Sequence, residues 1–529
     1  MKYVLIALIM TLPYVMVAQQ QPAAPPNAPV ELPEVLVTGK ELIDVGAGSK
    51  QAPSRPPILS ATRLDSLNPK EKLPIPRLPS RSLPSLRRPF AFYPGYIDAS
   101  MGTLLTPSVA AGYSFQTAGY RIDLDADVEA SQGWVDHSGY LRSALQLRST
   151  YIAPDQFIVF GGSTTHVNAN ASYGTYNLFA RPDAAERQIL RAGAAIDVDG
   201  SFDEFDYEAS VGYAAHSMNT TGFDLLTDNA LHGHMGMLQR GEGLRWGGDA
   251  HVALRSLAGA DYPFMQLNAR GTWSEGTTRI RAVIGPQLGI STRGDERVGL
   301  AADVHADVRV SPDVTVLASL TSGLRQVAFG DLYSTNPYLD NALVVDVPYD
   351  VVAIGGTLKY HPSIRFALSG SLRLRVTERE PVWYSSASGL FALHYLAVRR
   401  FDASVDARYA ASASDELRFD ATLTQANVVD SAAQPYVPVA LVSLTYRRDW
   451  TSALSSDLGV VYVGQRWADM SERVALSGYV DLRARVEYTV TPSLNVMLRA
   501  ENILSSTIVL WEGYRERGFF ATAGLTWRF

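Results

Sequence analysis

The stretch YRIDLDADVEAS, Tyr120–Ser131, alternates apolar and polar side chains along most of its length. Successive side chains of a β-strand point to opposite faces of the sheet. As a strand, the stretch has one apolar face and one charged face. The apolar face carries Tyr120, Ile122, Leu124, Ala126 and Val128, and the charged face carries Arg121, Asp123, Asp125, Asp127 and Glu129.

The same alternation recurs at 297–310 and at 364–376, where Val and Leu share one face and Arg, Asp or Ser the other. These predicted strands run for about ten to fourteen residues, whereas strands of globular proteins average about five or six. A tilted strand needs about nine to eleven residues to cross a bilayer. The pattern favours membrane-crossing strands over a soluble sandwich or propeller, and the chain has no blade repeat.

The chain has 529 residues, a net charge of -7 and no cysteine. This mildly acidic balance argues against a nucleic-acid partner. The lack of cysteine excludes disulfides, thiolate metal sites and a cysteine nucleophile. Beyond residues 1–18 no apolar run is long enough for a membrane helix. Only a closed barrel could then cross a bilayer, because backbone polar groups in lipid need internal partners.

Polar turns separate the predicted strands. Tight turns are predicted at APDQ, SPDV, HPSI, SASDEL and TPSL, which begin at residues 153, 311, 361, 412 and 491. Longer connections are predicted at 217–243, 326–349, 429–437 and 505–517. Short turns at one end and long loops at the other are typical of bacterial outer-membrane barrels, which have even strand numbers. We therefore predict an all-β fold, a transmembrane antiparallel β-barrel of about 22 strands over residues 96–529.

Two segments precede the predicted barrel. Residues 1–18 have one lysine followed by an apolar run, which predicts a secretory signal peptide. Residues 19–95 are rich in proline and predict an extended periplasmic segment with little helix or ladder pairing. Between residues 50 and 88 this segment is strongly basic, and its acidic residues are Asp65 and Glu71.

The last stretch, GFFATAGLTWRF at 518–529, alternates once more and places Leu525, Trp527 and Phe529 on one apolar face. In a barrel this strand would close the wall against the first strand. Its aromatic end resembles the C-terminal signal that the barrel-assembly machinery reads. We therefore predict that these three side chains carry that signal.

Three stretches resemble the TonB-dependent receptor family. TSGLRQVAFGDLYSTNPYL, at 321–339, is similar to that family's mid-barrel strand and loop, and residues 494–529 are similar to its last two strands, with Glu501 and Asn502 before the last loop. By our count about twelve strands precede Leu339 and ten follow it. The third stretch resembles the family's TonB box and comprises Pro33, Glu34, Val35, Leu36, Val37, Thr38 and Gly39.

The resemblance implies a barrel of 22 strands in a Gram-negative outer membrane, with the N- and C-termini of the chain in the periplasm. One feature departs from the family, whose members carry a globular plug domain between the box and the barrel. Between Val37 and Tyr96 this chain has only the proline-rich segment, which leaves no room for a domain with its own core. We expect a barrel without a plug of its own, and energy-coupled uptake does not follow from the resemblance.

Other chemistry is sparse, so we expect no enzyme activity, no cofactor and no metal site. His232 and His234 in LHGHMGM could bind a metal with His216, but further ligands at a recognised spacing are missing, which favours a solvated loop. Ser, His and Asp fit no known catalytic spacing. The charged strand faces predict lumen-lining residues, namely Asp123, Asp125, Asp127, Arg373 and Arg375.

Three functions remain open from the sequence. The chain could be a plugless transport barrel with a porin-like lumen, filled by its own basic segment or by another chain. It could be a TonB-linked transporter whose box pairs by strand addition with TonB. It could also be a structural or scaffold subunit of an outer-membrane complex. The expected partners are outer-membrane lipids and lipopolysaccharide, the barrel-assembly machinery, and TonB, a separate plug or a periplasmic protein, with no nucleic acid.

Overall fold

The computed structural model describes residues 93–155, 161–386, 388–429 and 433–529. The predicted signal peptide, the box-like run Pro33–Gly39 and the basic segment lie outside these residues. Within the described ranges no helix is long and apolar enough to cross a membrane. The chain is organised instead around one large antiparallel sheet, which confirms the predicted all-β fold.

The sheet closes on itself as a barrel of 22 strands, as predicted. A two-residue stretch, Ala260–Asp261, pairs with Ser256 and Leu257 of the preceding wall strand as an additional short strand. The wall strands are β1 Gly95–Gly102, β2 Thr106–Thr117, β3 Tyr120–Ser131, β4 Tyr140–Ile152, β5 Thr164–Asn177, β6 Glu186–Phe202, β7 Phe205–Thr220, β8 Leu226–Arg240, β9 Leu244–Leu257, β10 Phe264–Glu275, β11 Thr278–Ile290, β12 Glu296–Ser311, β13 Val314–Leu324, β14 Tyr349–Ser363, β15 Phe366–Ser385, β16 Phe391–Ala410, β17 Asp415–Val428, β18 Ala440–Asp449, β19 Leu454–Val463, β20 Tyr479–Thr491, β21 Leu494–Glu501 and β22 Phe520–Arg528.

The barrel closes between β1 and β22, which pair antiparallel from Tyr96 opposite Arg528 to Gly102 opposite Thr522. Two backbone hydrogen bonds extend this seam, because the N–H groups of Gly95 and Phe529 each donate to the other's carbonyl at 3.0 Å. Closure leaves the wall without a free edge, so every wall strand has two neighbours.

The two faces of the wall differ in chemistry. Leu124 and Val128 of β3 are exposed on the outer face, with 43% and 49% of their surface accessible. Asp125, one position away, points inward, where it accepts hydrogen bonds from Tyr96 of β1 at 3.0 Å and from Arg148 of β4 at 2.8 Å. A closed barrel with an apolar outer face meets the requirements of a bilayer. The protein is therefore an integral outer-membrane protein in contact with lipid.

The two ends of the barrel also differ. Most connections at the end that holds the barrel's own chain termini are short, such as 118–119, 203–204, 276–277 and 492–493. Connections at the other end include 325–348, 464–478 and 502–519. In outer-membrane barrels the short turns face the periplasm and the long loops face the exterior, so 325–348 is an external loop.

Several sequence-based details were wrong. The strands are 8 to 20 residues long, a wider range than the ten to fourteen predicted. The longest, β15 and β16, extend beyond the length needed to cross the membrane. Thirteen strands precede Leu339 and nine follow it. The predicted connection at 217–243 is mostly wall, since β7 continues to Thr220 and β8 occupies Leu226–Arg240. The predicted tight turn at Ala153 begins a longer connection to β5.

Candidate functional site

The external loop 325–348 folds into the mouth of the barrel. It contains a short helix, α1 Phe329–Thr335, whose side chains Phe329, Leu332 and Tyr333 are buried. They join one core cluster with residues from β7, β8, β9, β15 and β16. Strands β10–β14 separate these two parts of the wall, so the loop links regions that do not touch each other in the sheet. We call this segment the mouth loop.

Helix α1 depends on this packing. It has seven residues, and Ala328 at its N-terminus provides no side-chain cap. A helix this short is not stable alone in water. It ends at Asn336, whose backbone is extended as expected for the residue before Pro337. The buried face of α1, rather than its intrinsic propensity, therefore stabilises it.

Arg187 of β6 anchors the centre of the mouth loop. Its side chain is fully buried, and its Nη1 donates to the carbonyl oxygens of Pro337 at 2.9 Å and Leu339 at 2.8 Å. Nη2 donates to the Asn341 side chain at 3.0 Å, and Nε donates to Thr220 Oγ1 at 2.9 Å. Arg187 forms no ion pair with any described residue. These hydrogen bonds use four of the five N–H donors of the guanidinium group, and a buried charge needs such acceptors because its desolvation would otherwise be costly.

Both ends of the mouth loop are also tied to the wall. At its start, Arg325 pairs with Glu380 on β15, which Arg375 also contacts at 3.2 Å. Near its end, Asp346 pairs with Arg379. Two of the wall residues in these ion pairs, Arg379 and Glu380, lie where the strand is irregular. The register of β15 shifts between Thr377 and Glu380, and Arg379 has a left-handed backbone with φ of 60°. The irregular wall therefore presents charged groups to the loop.

Aromatic side chains from four external loops pack above the mouth. Tyr338 of the mouth loop stacks on Tyr514 of the last loop, with ring centroids 3.5 Å apart. Phe179, from the loop between β5 and β6, meets Tyr514 edge-on at 5.0 Å. Trp511 contacts Phe391 at 5.1 Å and Tyr436 at 4.7 Å. These contacts join the last loop to the mouth loop.

A buried polar group lies beneath α1. Asp228 of β8 is fully buried, accepts a hydrogen bond from Tyr262 at 2.5 Å, and lies 3.1 Å from His216 Nδ1. The His216 ring packs edge-on against Phe329 at 5.8 Å. This contact links the polar group to the mouth loop.

His232 and His234 lie within strand β8, so their assignment to a solvated loop was wrong. His234 lies 3.8 Å from both Glu208 and Asp249, but Arg270 contacts the same two carboxylates. The guanidinium group of Arg270 therefore already occupies the position that a metal ion bound to these two carboxylates would take. Among the described residues no group of three or more potential ligands could hold a metal ion.

The residues singled out from the sequence fall in three places. Asp123, Asp125 and Asp127 lie side by side on the inner face of β3, where Arg121 pairs with Asp123 at 2.9 Å. Arg373 and Arg375 lie on the inner face of β15, and Arg375 belongs to the network at the base of the mouth loop. The outer face of β22 carries Leu525, Trp527 and Phe529, which are 45%, 47% and 43% exposed.

Sequence reasoning did not identify Arg187 or the inward fold of the mouth loop. Arg187 and Arg191 both occupy inward positions of β6, and nothing in the local pattern separates the buried anchor from its neighbour. The mouth loop does carry a usable signal. Its apolar and aromatic residues, in AFGDLYSTNPYL, are unusual for an exposed loop and indicate a segment that packs on something.

A cavity of about 550 Å³ opens below the mouth loop, against the inner face of β3–β6. Its wall side holds Arg142 and Arg191, and its roof holds Tyr333 and Tyr338. Glu516 of the last loop also faces it. The site thus combines positive charge with aromatic surface, at a place reached through the lumen or by movement of the external loops.

The geometry defines a class, the large outer-membrane barrel of 22 strands. No family model matches the chain, and no curated protein matches its sequence. Solved structures do match its fold, and all those named here are TonB-dependent receptors. The copper transporter OprC superposes with a TM-score of 0.65 at 13% identity, over 84% of this chain and 82% of that chain.

Two further structures agree. The FrpB iron transporter from Neisseria meningitidis has a TM-score of 0.66 at 8% identity, over 83% of this chain and 82% of that chain. The siderophore receptor PiuA from Acinetobacter baumannii has a TM-score of 0.63 at 8% identity, over 82% and 81% of the two chains. The chain therefore has the barrel fold of TonB-dependent receptors.

Proposed function

We propose that this protein transports a small solute across the outer membrane through its lumen, without a plug domain of its own, and that it is not an enzyme. The observation that carries this proposal is the mouth loop, which is held in the external opening by Arg187 and by ion pairs at both ends. A barrel that closes its mouth with its own loop can regulate entry at that point. Polar and charged side chains on the inner wall provide a wet path below it.

The names of the structural neighbours support a transport role, since they include a copper transporter, an iron transporter and a siderophore receptor. Their sequences are too different to assign a cargo. The basic composition of residues 50–88 is opposite in charge to Asp123, Asp125 and Asp127 on the inner face of β3, and salt would weaken any attraction between them.

Single-channel conductance in planar bilayers tests the proposal. Replacing residues 327–343 with a short Gly-Ser linker should raise conductance, because the mouth loop no longer crosses the opening. Deleting residues 43–91 should raise it separately if the basic segment occupies the lumen. Replacing residues 468–474, in another external loop, is the matched control and should change little. Unchanged conductance in both test variants would contradict the proposal.

Coupling to TonB is a second element of the proposal, and the box-like run Pro33–Gly39 motivates it. A strand-adding segment on an extended tether can pair with the edge of a partner's sheet. Deleting residues 32–40 should abolish co-purification of TonB from membranes and leave the conductance unchanged. If TonB is retained after the deletion, the barrel is better explained as an uncoupled channel. A stable stoichiometric partner of another kind would instead favour the scaffold role.

A further inference from the structure

The cavity below the mouth loop has an unusual lining for the lumen of this barrel. It lies between the inner face of β3–β6, helix α1 and the last loop, and has a volume of about 550 Å³. Many lumen arginines in the described chain pair with a carboxylate, for example Arg121 with Asp123 and Arg408 with Glu416. The two arginines that face the cavity belong to those that do not, and what sets them apart is that they line the same cavity.

Small side chains on the wall make room for the cavity. Arg142 of β4 stands opposite Gly174 of β5, and Arg191 of β6 stands opposite Ser172 of the same strand. Gly174 and Ser172 are small, so their own side chains do not block the space between the two arginines, and Ile189 packs beside Gly174. Two long side chains from flanking strands can therefore reach toward one point above β5.

The contacts of the two guanidinium groups leave most of their donors free for a ligand. Arg142 stacks on the ring of Tyr140 at 4.5 Å. Arg191 lies 5.7 Å from the Tyr333 ring, and its Nε donates to Ser172 Oγ at 3.2 Å. Neither arginine forms an ion pair with a residue in the described part of the chain. Two guanidinium groups with free donors in one cavity suit a carboxylate, which they can bind through charge-assisted hydrogen bonds.

Both positive charges also act on the same roof residue. Burial raises the pKa of Tyr333, and the charges of Arg187, Arg191 and Arg142 oppose that rise. Arg142 and Arg191 thus influence the same roof residue, although they start from strands that are not neighbours.

Aromatic rings and acidic groups set the rest of the ligand's chemistry. Phe179 and Trp134 line the cavity, and their rings meet edge-on with centroids 6.2 Å apart. Such surfaces favour a flat ring. Asp127 and Glu516 also line the cavity, so two acidic groups accompany the two arginines. This balance favours a ligand with one negative charge over a phosphate or a dicarboxylate.

We propose that this cavity binds a small aromatic monocarboxylate, with the carboxylate between Arg142 and Arg191 and the ring against Phe179 and Trp134. The ligand lies directly beneath the mouth loop and contacts its residues Tyr333 and Tyr338. This inference rests on the proposed transport function for its biological meaning, because it names a class of cargo. Binding itself is measured independently of transport.

Isothermal titration calorimetry on the detergent-solubilised full-length protein tests the inference, with benzoate as the probe. Benzoate should bind saturably, and both benzamide, which lacks the charge, and cyclohexanecarboxylate, which lacks the flat ring, should bind at least roughly tenfold more weakly. Arg142→Gln and Arg191→Gln should each weaken benzoate binding by roughly tenfold or more. Arg408→Gln, which removes a paired lumen arginine elsewhere in the wall, is the matched control and should retain wild-type affinity.

Circular dichroism and heat-modifiable electrophoretic mobility establish that each variant is folded. Absence of saturable benzoate binding to the wild-type protein would overturn the inference, and so would equal weakening by all three arginine variants. The outcome is separable from the transport proposal. Benzoate binding without any conductance or flux would leave the site in place and contradict transport, whereas conductance without benzoate binding would contradict only the site.

Discussion

Arg187 is the residue on which the position of the mouth loop depends most directly. It is a buried cation whose partners are neutral oxygens, three of them on the mouth loop. An ion pair inside the wall would hold the arginine without holding the loop. Here the same hydrogen bonds that satisfy the charge also fix the loop backbone, so the burial of one side chain and the position of a whole segment are coupled.

We predict that Arg187→Ala releases the mouth loop. The substitution leaves the Leu339 carbonyl without its donor, and the Pro337 carbonyl keeps only the hydrogen bond from the Tyr176 hydroxyl at 2.6 Å. An unsatisfied buried group costs about 1–3 kcal/mol. Chymotrypsin should then cleave at Phe329, Tyr333 or Tyr338 much faster than in the wild-type protein. Arg187→Lys should give an intermediate rate, since an ammonium lacks the planar fork. Arg121→Ala, which removes an exposed lumen arginine, is the control, and protection of the loop in Arg187→Ala would contradict the prediction.

The contribution of Glu516 in the last loop to the stability of the folded protein depends on pH. Burial raises the pKa of Glu516, and the charges of Arg517 and Arg142 oppose the rise without cancelling it. A carboxyl group with a higher pKa in the folded state binds its proton more tightly when folded. Its contribution to stability is therefore complete below the unfolded pKa and is lost as the pH rises through the folded pKa.

We predict that Glu516→Gln, which resembles the protonated carboxyl, removes this loss. The apparent melting temperature of the variant should match wild type at pH 4 and exceed it at pH 8. Asp183→Asn provides a control of opposite sign, because the hydrogen bond from Arg181 lowers the pKa of Asp183. That variant should be less stable than wild type at pH 8 and should approach it as the pH falls. A higher melting temperature for Glu516→Gln at pH 4 alone would contradict the assignment.

At the level of single elements, the wall strands could be predicted from the sequence, whereas the fold of the mouth loop could not. Period-two alternation in β3, β12 and β15 has one physical cause, since each strand faces lipid on one side and water on the other. The pattern weakens where both faces are polar or small. LHGHMGM in β8 has one glycine between its two histidines and another after Met235, so it resembled a loop although it is a strand. The mouth loop was unpredictable in detail because its contacts are with strands far away in sequence.

Glycine at one wall position is required by the approach of a neighbouring strand. A Cβ on Gly285 of β11 would lie 1.8 Å from the carbonyl oxygen of Leu267 on β10. The pairing between these strands skips this point, passing from Gln266 opposite Gln287 to Ala269 opposite Ile284. The backbones therefore come closer than a side chain allows.

We predict that Gly285→Ala destabilises the wall, because a backbone oxygen cannot move aside as a flexible side chain can. The folded fraction, measured by heat-modifiable mobility after refolding into detergent, should fall, together with the melting temperature. Gly356→Ala in β14 is the matched control, since its Cβ would meet no atom within 4 Å. Equal effects of the two substitutions would show that lost backbone flexibility, rather than the close approach, explains the result.

At the scale of the whole molecule, the seam between β1 and β22 is where the wall becomes a barrel. Phe529 contributes both backbone hydrogen bonds with Gly95, and its ring covers that glycine, since a Cβ on Gly95 would lie 2.6 Å from ring atoms. The ring also packs against Trp527, with centroids 5.0 Å apart. In lipid, an open seam would leave backbone groups on both strands unpaired, at a cost of several kcal/mol each.

We predict that deleting Phe529 lowers the yield of folded barrel in the outer membrane severalfold, because the seam then loses two hydrogen bonds and its aromatic cover. Cell fractionation followed by heat-modifiable electrophoresis measures that yield. Phe519→Ala, which removes an exposed phenylalanine just before β22, leaves the seam intact and should assemble normally. Refolding into detergent without any assembly machinery separates two causes. If the deletion variant refolds as well as wild type in detergent yet fails in cells, Phe529 acts as an assembly signal; failure in both shows that the seam itself depends on it.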